Sequence, residues 1–463
     1  MTMAELRFED VARRTGGRLL SGPPSLSVRG YVIDARGAGP GDLFFAVVAG
    51  RDGHDFVAQA AANGAAGAVV SKIVPSPGGD FGIVLVPDTV RALQDLARSV
   101  LLDHPVTVVG ITGSVGKTTA KEFAAAFLAS SFPVLKSEKN FNNHLGVALT
   151  LLRLEKVHKA AVIEMGMNAP GEIAALTRIA PPDIAVITNV RPVHLKFFED
   201  MDGIARAKKE ILDGMKPDGT AVLNGDDPLV LRAAASWRGK KVTFGRSAGC
   251  DVRASEIRSR GYKGLSFDLA YGGEKAIVDL RFLADSVVED FLAAAAVAYV
   301  LSVPIGKIVS LAASLEPQAM RGNLVRLGKG IRLIDDSYNS NPKALETALK
   351  SLAPLPAGRR VAVLGDMLEL GAKEREFHLE AGRTAALSGW DLLMTVGPLA
   401  RLMADGAAAV GMDRARIVSF ADSGKAARAV PPLVAAGDLV LVKGSRGVKM
   451  EKIVESLRER LGE

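Results

Sequence analysis

Between Val106 and Leu128 the chain sets a β-branched apolar run, Val106-Thr107-Val108-Val109-Gly110-Ile111, directly before Thr112-Gly113-Ser114-Val115-Gly116-Lys117-Thr118-Thr119, and a helix-forming stretch, Ala120 to Leu128, directly after it. Strand, glycine-rich loop and helix in that order make a phosphate-binding loop. The glycines let backbone N–H groups close around phosphate oxygens, and the helix N-terminus adds partial positive charge. Lys117 reaches the outer phosphates and Thr118 can ligate Mg²⁺. The run departs from G-x-x-x-x-G-K-[ST] at its first glycine, where Ile111 stands.

Three more residues carry possible chemistry. Glu164 ends the apolar run Ala160-Ala161-Val162-Ile163, which puts it at the carboxyl edge of a sheet, where open α/β proteins bind ligands. It is there either as an exposed strand end or as a ligand, since Mg²⁺ with nucleotide recruits one or two carboxylates. His194 follows the strand Ile184 to Thr188 and reaches the same edge, as a ligand or as a packed histidine. On a helix from Ile204 to Met215, the residues Ile204, Ala207, Ile211, Leu212 and Met215 share one face, and Lys208 lies among them. Lysine is rarely buried unpaired, so Lys208 either snorkels to the surface or has a chemical reason to be inside. Lys209 leans outward.

The elements that must hold these residues repeat a βαβ rhythm. From Val106 onward, apolar runs at Val106 to Ile111, Ala160 to Glu164, Ile184 to Thr188 and Ala221 to Leu223 alternate with helical patterns, as in a parallel sheet. Leu265 to Tyr271 and Lys275 to Phe282 alternate in period two around Gly272-Gly273, an antiparallel hairpin appended to it. A second series, from Arg332 through Val361 to Gly365, Leu392 to Val396, Ile417 to Phe420 and Leu439 to Val442, predicts a separate doubly wound sheet. Short strands at Gly30 to Ile33, Leu43 to Val47, Ala68 to Val70 and Ile83 to Val86 make a smaller N-terminal unit. Proline after His104 and after Glu316 marks the boundaries, because the residue before proline leaves the helical region.

Composition agrees with this division. A chain of 463 residues exceeds the roughly 250–300 at which a single core stops growing, and 48% hydrophobic against 24% charged residues is globular rather than disordered. The net charge of +7 is spread in pairs such as Lys240-Lys241 and Arg359-Arg360, without the basic run or interleaved aromatics of a nucleic-acid surface. An anionic small molecule suits it better. The single cysteine, Cys250, forms neither an internal disulfide nor a thiolate metal site. Phe291 to Leu301 is shorter than the ~20 residues of a membrane span, and the acidic N-terminus is unlike a secretory signal. These features predict a cytoplasmic protein that neither enters a membrane nor binds nucleic acid.

The phosphate loop also resembles that of the Mur ligases, including its missing first glycine. Four further blocks extend the likeness: Asn140 to Gly146, Glu164 to Asn168, Asn189 to Leu195, and Ala207 to Ile211. Asp335-Asp336-Ser337-Tyr338-Asn339-Ser340-Asn341-Pro342, Leu364 to Gly371 and Lys443-Gly444-Ser445-Arg446 are similar to the MurF type within that family. Val32 to Arg36, Pro40 to Phe44 and Asp52-Gly53-His54-Asp55-Phe56 resemble its UDP-sugar domain, except that Ala35 replaces a hydroxyl residue.

This resemblance implies an α/β chain of three domains: residues 1–104 for the UDP end of a substrate, 105–316 for ATP, and a Rossmann-like 317–463 that completes the ATP site. It implies an ATP-dependent ligase of peptidoglycan precursor synthesis, with ATP and Mg²⁺ as cofactors and UDP-N-acetylmuramoyl-tripeptide and D-alanyl-D-alanine as substrates, acting as a monomer through an acyl phosphate. By the same resemblance Lys117, His194 and Lys208 are catalytic. The stretch Thr112 to Thr119, with Asn143, Arg321, Asp336 and Asn339, binds ATP. Thr118, Glu164, His194 and a carbamylated Lys208 hold metal, and Asp34, Arg36, Asp52 and His54 meet the UDP substrate.

Overall fold

The computed structural model describes residues 6–138, 140–192, 197–198 and 200–462. Three large sheets follow one another along the chain, and its α/β class is the expected one. The first has five strands in the order Arg18–Ser21, Gly82–Leu85, Gly67–Val70, Asp42–Phe45, Gly30–Val32, parallel except for the first.

The second sheet has nine strands, and its order explains where a ligand can bind. Thr107–Thr112 pairs in parallel with Ala160–Glu164 on one side and with Ile184–Ile187 on the other. The chain therefore reverses its direction of travel across the sheet at the strand that feeds the phosphate loop, a topological switch point that leaves a crevice at the carboxyl edge. Beyond Ile184–Ile187 the sheet continues through Thr220–Asn224, Lys240–Gly245, Val252–Ser259 and the hairpin Leu265–Tyr271 and Glu274–Leu280. Gly272 and Gly273, at φ 57° and 86°, make the hairpin turn with the two positive φ values that right-twisted strands favour.

Both faces of this sheet are covered, as parallel strands require. On one face Lys117–Ala129 and Val287–Val300 pack through Phe123, Phe127, Phe267 and Phe291. Phe127 and Phe291 meet edge to face with ring centres 5.2 Å apart. The apolar run around Phe291 is thus a core helix, and no helix among the described residues is long and apolar enough to cross a membrane. On the other face Thr89–Leu102 lies between the first and second sheets, and one continuous core joins them.

The third sheet orders Asn323–Arg326, Arg332–Asp336, Leu439–Lys443, Arg360–Gly365, Leu392–Val396 and Ile417–Phe420, parallel but for the first strand. Pro342–Leu352, Glu374–Leu387 and Arg401–Ala409 cover one face, Ser423–Ala429 and Glu451–Leu461 the other. The doubly wound pattern holds. Strands absent from the sequence reading have physical reasons to hide: Lys240–Gly245 opens on two lysines, and Val252–Ser259 carries a bulge between Ser255 and Arg258, with Glu256 at φ 52°.

Candidate active site

The phosphate loop leaves Thr107–Thr112 through Gly113, at φ 154°, and enters Lys117–Ala129 through Gly116, at φ 82°. Neither glycine has room for a side chain. A Cβ on Gly113 would stand 1.8 Å from Thr188 Oγ1, and one on Gly116 would stand 1.8 Å from Asp290 Oδ1. The neighbouring strand end braces the loop. Thr188 Oγ1 donates to Val115 O at 2.8 Å, Ser114 N donates to Asn189 O at 3.0 Å, and Val115 N donates to Asn189 Oδ1 at 3.0 Å. The Ser114 hydroxyl accepts from Arg191 N at 2.9 Å and donates to Arg191 O at 3.1 Å. Ser114 therefore spends its side chain holding the loop.

Lys117 Nζ donates to Gly113 O and Ser114 O, at 2.8 and 3.2 Å, folded back over its own loop. Burial pushes its ammonium below the usual lysine range, Glu164 and Asp290 pull it back up, and Arg321 adds to the lowering. Asp290 moves the other way. Burial, with Glu289 beside it, raises its carboxyl well above the carboxylate range against the pull of Arg321 and Lys117.

Glu164 is 1% exposed, so its strand end is buried rather than solvated. Asn142 Nδ2 donates to its Oε1 at 2.9 Å, while Oε2 has no hydrogen-bond partner among the described residues and lies 3.9 Å from Lys121 Nζ. A buried carboxylate oxygen short of partners, beside the loop that carries Thr118, is a donor set suited to a hard divalent cation. Thr118 is buried at the start of the loop helix, and Thr112 Oγ1 is a second buried oxygen without a partner.

Lys208 does not snorkel. On Met201–Asp213 it is 2% exposed, and among the described residues its amine makes no hydrogen bond or ion pair. Burial, with Lys117 nearby, depresses its pKa well below the lysine range, which favours the neutral amine. Lys209 turns outward to Asp213. His194 lies outside the described residues.

The third sheet supplies the opposite wall. A cavity of about 900 Å³ is lined from one side by Ser114 to Thr119, Asn143, Glu164 and Asp290, and from the other by Arg321, Asp336, Asn339 and Lys443. Asn143 caps His144–Leu151 by accepting from Leu145 N and Gly146 N. The Arg321 guanidinium stacks 4.3 Å over the Tyr338 ring. Lys443 Nζ donates to Asp336 Oδ2 at 2.6 Å and to Asn339 O at 3.1 Å, fixing both at the carboxyl edge of their sheet. Lys443 and Asp290 were not singled out as site residues from sequence. Their signals were a lysine closing an apolar strand and an acid pair opening a long apolar helix.

The four N-terminal candidates gather at the carboxyl edge of the first sheet and do not line this cavity. Arg36 donates to Asp34 through Nε and a terminal nitrogen, at 3.0 and 2.7 Å, and those bonds hold the Asp34 carboxyl down at about 2. Asp52 accepts from Lys72 Nζ and faces His54 Nδ1, each at 2.6 Å, and its carboxyl lies well below the usual range. His54 Nε2 accepts from Ser71 N at 2.9 Å, so both ring nitrogens of this buried histidine are spent inside the protein. The Ala35 methyl packs into the core beneath.

Family models for the Mur ligase middle domain and for the Mur ligase glutamate ligase domain match residues 111–298 and 320–446. This chain belongs to the Mur ligase family. The Bacillus subtilis UDP-N-acetylmuramoyl-tripeptide--D-alanyl-D-alanine ligase is 36% identical to this Mur ligase over 438 residues, 93% of each chain. A crystal structure of MurF from Acinetobacter baumannii superposes with a TM-score of 0.90 at 30% identity, covering 99% of this chain and 100% of that one. The MurF ligase of Thermotoga maritima, solved with ADP, superposes at 0.81 with 31% identity, over 94% of this Mur ligase and 98% of that chain.

Proposed function

We propose that this Mur ligase joins D-alanyl-D-alanine to UDP-N-acetylmuramoyl-tripeptide and turns ATP into ADP and phosphate. The observation that carries the reading is the cavity in which the phosphate loop faces Arg321, just before the third sheet, and Asp336 and Lys443 on it, in a chain similar over nearly its whole length to ligases of that name. The terminal carboxylate of the tripeptide attacks the γ-phosphorus, the bond to the β-phosphate oxygen breaks, and an acyl phosphate forms. The amine of the dipeptide then attacks the acyl carbon, loses a proton, and expels phosphate from a tetrahedral intermediate.

The protein's share is positioning and charge. Lys117 leaves its loop carbonyls for the β- and γ-phosphates and stabilises charge on the transferring group. Amides at the start of Lys117–Ala129 face the same oxygens. Arg321, Asp336 and Asn339 close on the nucleotide from the other wall, with Lys443 holding the last two. Thr118 and Glu164 would hold one Mg²⁺, and His194 with a carbamate on Lys208 a second. Bound Mg²⁺ supplies charge neutralisation where carboxylate and triphosphate meet. Carbon dioxide adds to the neutral amine, the form that the burial of Lys208 favours.

The N-terminal unit takes the UDP end of the substrate. Arg36, with its side chain 80% exposed, offers a cation there, while His54 braces Asp52. We divide the three units at 104–105 and 316–317, and every residue named comes from one chain, so a monomer suffices. The cytoplasm, where ATP and UDP-linked peptidoglycan precursors occur, is its expected place. The test is ADP formation with each substrate omitted in turn. Turnover should need both UDP-N-acetylmuramoyl-tripeptide and D-alanyl-D-alanine, and rapid turnover with neither would overturn the ligase reading.

A further inference from the structure

The cavity needs two sheets to face each other, yet the chain joins them covalently only through the segment between Ile305–Ala312 and Asn323–Arg326. One tether leaves the relative rotation of two bodies largely free. A second attachment reaches from the rim of the cavity, at Leu283, to the opposite end of the C-terminal sheet. Between Val252–Ser259 and Leu265–Tyr271 the antiparallel part of the central sheet forms a tight turn containing Gly261–Lys263, closed by Gly264 at φ 105°, where a Cβ would meet Leu280 O at 1.9 Å. This turn projects Tyr262 onto the third sheet. Tyr262 Oη donates to Pro356 O at 2.6 Å, the Arg332 guanidinium sits 4.3 Å over its ring, and the ring packs against the apolar core of the C-terminal unit together with Leu283. Close by in sequence to Leu283, Ser351 Oγ donates to Asp285 Oδ1 at 3.4 Å.

The geometry of one strand connects this contact to the site. Arg332 opens Arg332–Asp336 and Asp336 closes it, so the contact and the cavity occupy opposite ends of a single rigid element, separated by about 13 Å at the usual rise per residue. Pro342–Leu352 runs the same course, from Asn341 on the cavity wall toward Pro356. A tilt permitted at Tyr262 is carried along both elements to Asp336, Asn339 and Lys443.

We propose that Tyr262 is a positioning residue for the ligation reaction, a latch through which the central unit fixes the orientation of the C-terminal unit and so the distance across the nucleotide cavity. This rests on the reading of the cavity as an ATP site. Burial pushes the Tyr262 phenol up, so the hydroxyl keeps the proton it donates.

Tyr262→Ala removes one hydrogen bond and one cation–π contact, enough to lower the ratio of closed to open molecules about tenfold. When only a fraction of molecules is competent, apparent affinity falls by that fraction. With a wild type about half closed before nucleotide binds, the KM for ATP should therefore rise about fivefold while kcat at saturating ATP stays within about twofold, because saturating ligand restores the closed state. Tyr262→Phe keeps the ring under Arg332 and should recover most of the affinity. Small-angle X-ray scattering should show Tyr262→Ala larger than wild type without nucleotide and equal to it with Mg²⁺ and a non-hydrolysable ATP analogue. A wild-type KM and scattering curve in Tyr262→Ala would overturn the latch, as would a fall in kcat and melting temperature with KM unchanged. If the wild-type protein forms no amide at all, the ligase reading falls, and the scattering comparison still decides the latch.

Discussion

Lys208 is the residue whose physical state most constrains the chemistry. Its amine lies in the interior without a partner among the described residues, and burial holds its pKa far below the ordinary 10.5. The unfolded chain keeps that proton up to the ordinary value while the folded chain releases it much lower. The unfolded state thus binds more protons, and this residue's contribution to stability rises with pH across that window and falls as pH drops through it. Compared with the protein carrying the unmodified amine, Lys208→Met should flatten that dependence and raise the melting temperature near neutral pH by about 2–4 °C, the shift of roughly 1 kcal/mol in a domain of this size. Ligation should fall at least about a hundredfold, as expected for a lost charge-stabilising group. Thermal melts across pH and a ligation assay check both, and a variant that is less stable but fully active would contradict the assignment. The helical period placed Lys208 on the apolar face, but a period gives an angle around the axis and not a depth, so burial and snorkelling could be separated only by the structure. Lys117, Thr118 and Glu164 were legible because each sits at a fixed offset from a strand end. Asp290 and Lys443 were not, because each meets its partner across more than 100 residues of sequence.

At the scale of the element, the phosphate loop is shaped from outside. Thr188, Asn189 and Arg191, from the strand end beside it, fix its carbonyls and amides, and the helix behind it is held through Phe123 and Phe127 against Phe291. Gly116 combines a left-handed φ with a neighbour, Asp290, that fills the space a side chain would need. Gly116→Ala should cost about 1–3 kcal/mol through backbone strain and displacement of Asp290, and the KM for ATP should rise more than tenfold. Calorimetry with steady-state kinetics would show it, and unchanged values for both would mean the loop is not built as described. The strand-loop-helix order was readable in sequence because hydrophobic period and glycine spacing are local. The bracing was not, since it depends on which strand lies beside Thr107–Thr112, a fact of topology.

For the whole molecule, the βαβ rhythm gave away the central and C-terminal sheets, and the hairpin at Gly272-Gly273 was where the alternation placed it. Less visible was how the sheets join. One apolar core runs from the N-terminal sheet through Thr89–Leu102 into the central sheet, whereas the C-terminal sheet meets its neighbour across the nucleotide cavity and at Tyr262. In the proposed reaction the N-terminal unit would take the UDP end of a long substrate, and the C-terminal unit would bring the nucleotide to the other end on closing. The proposed ligation is tested most directly by one reaction: UDP-N-acetylmuramoyl-tripeptide, ATP, Mg²⁺ and D-alanyl-D-alanine incubated with the protein and the product weighed by mass spectrometry. The predicted result is a species equal in mass to tripeptide plus dipeptide less one water, formed with one ADP per bond, and unaltered tripeptide under conditions where ATP is consumed would contradict it.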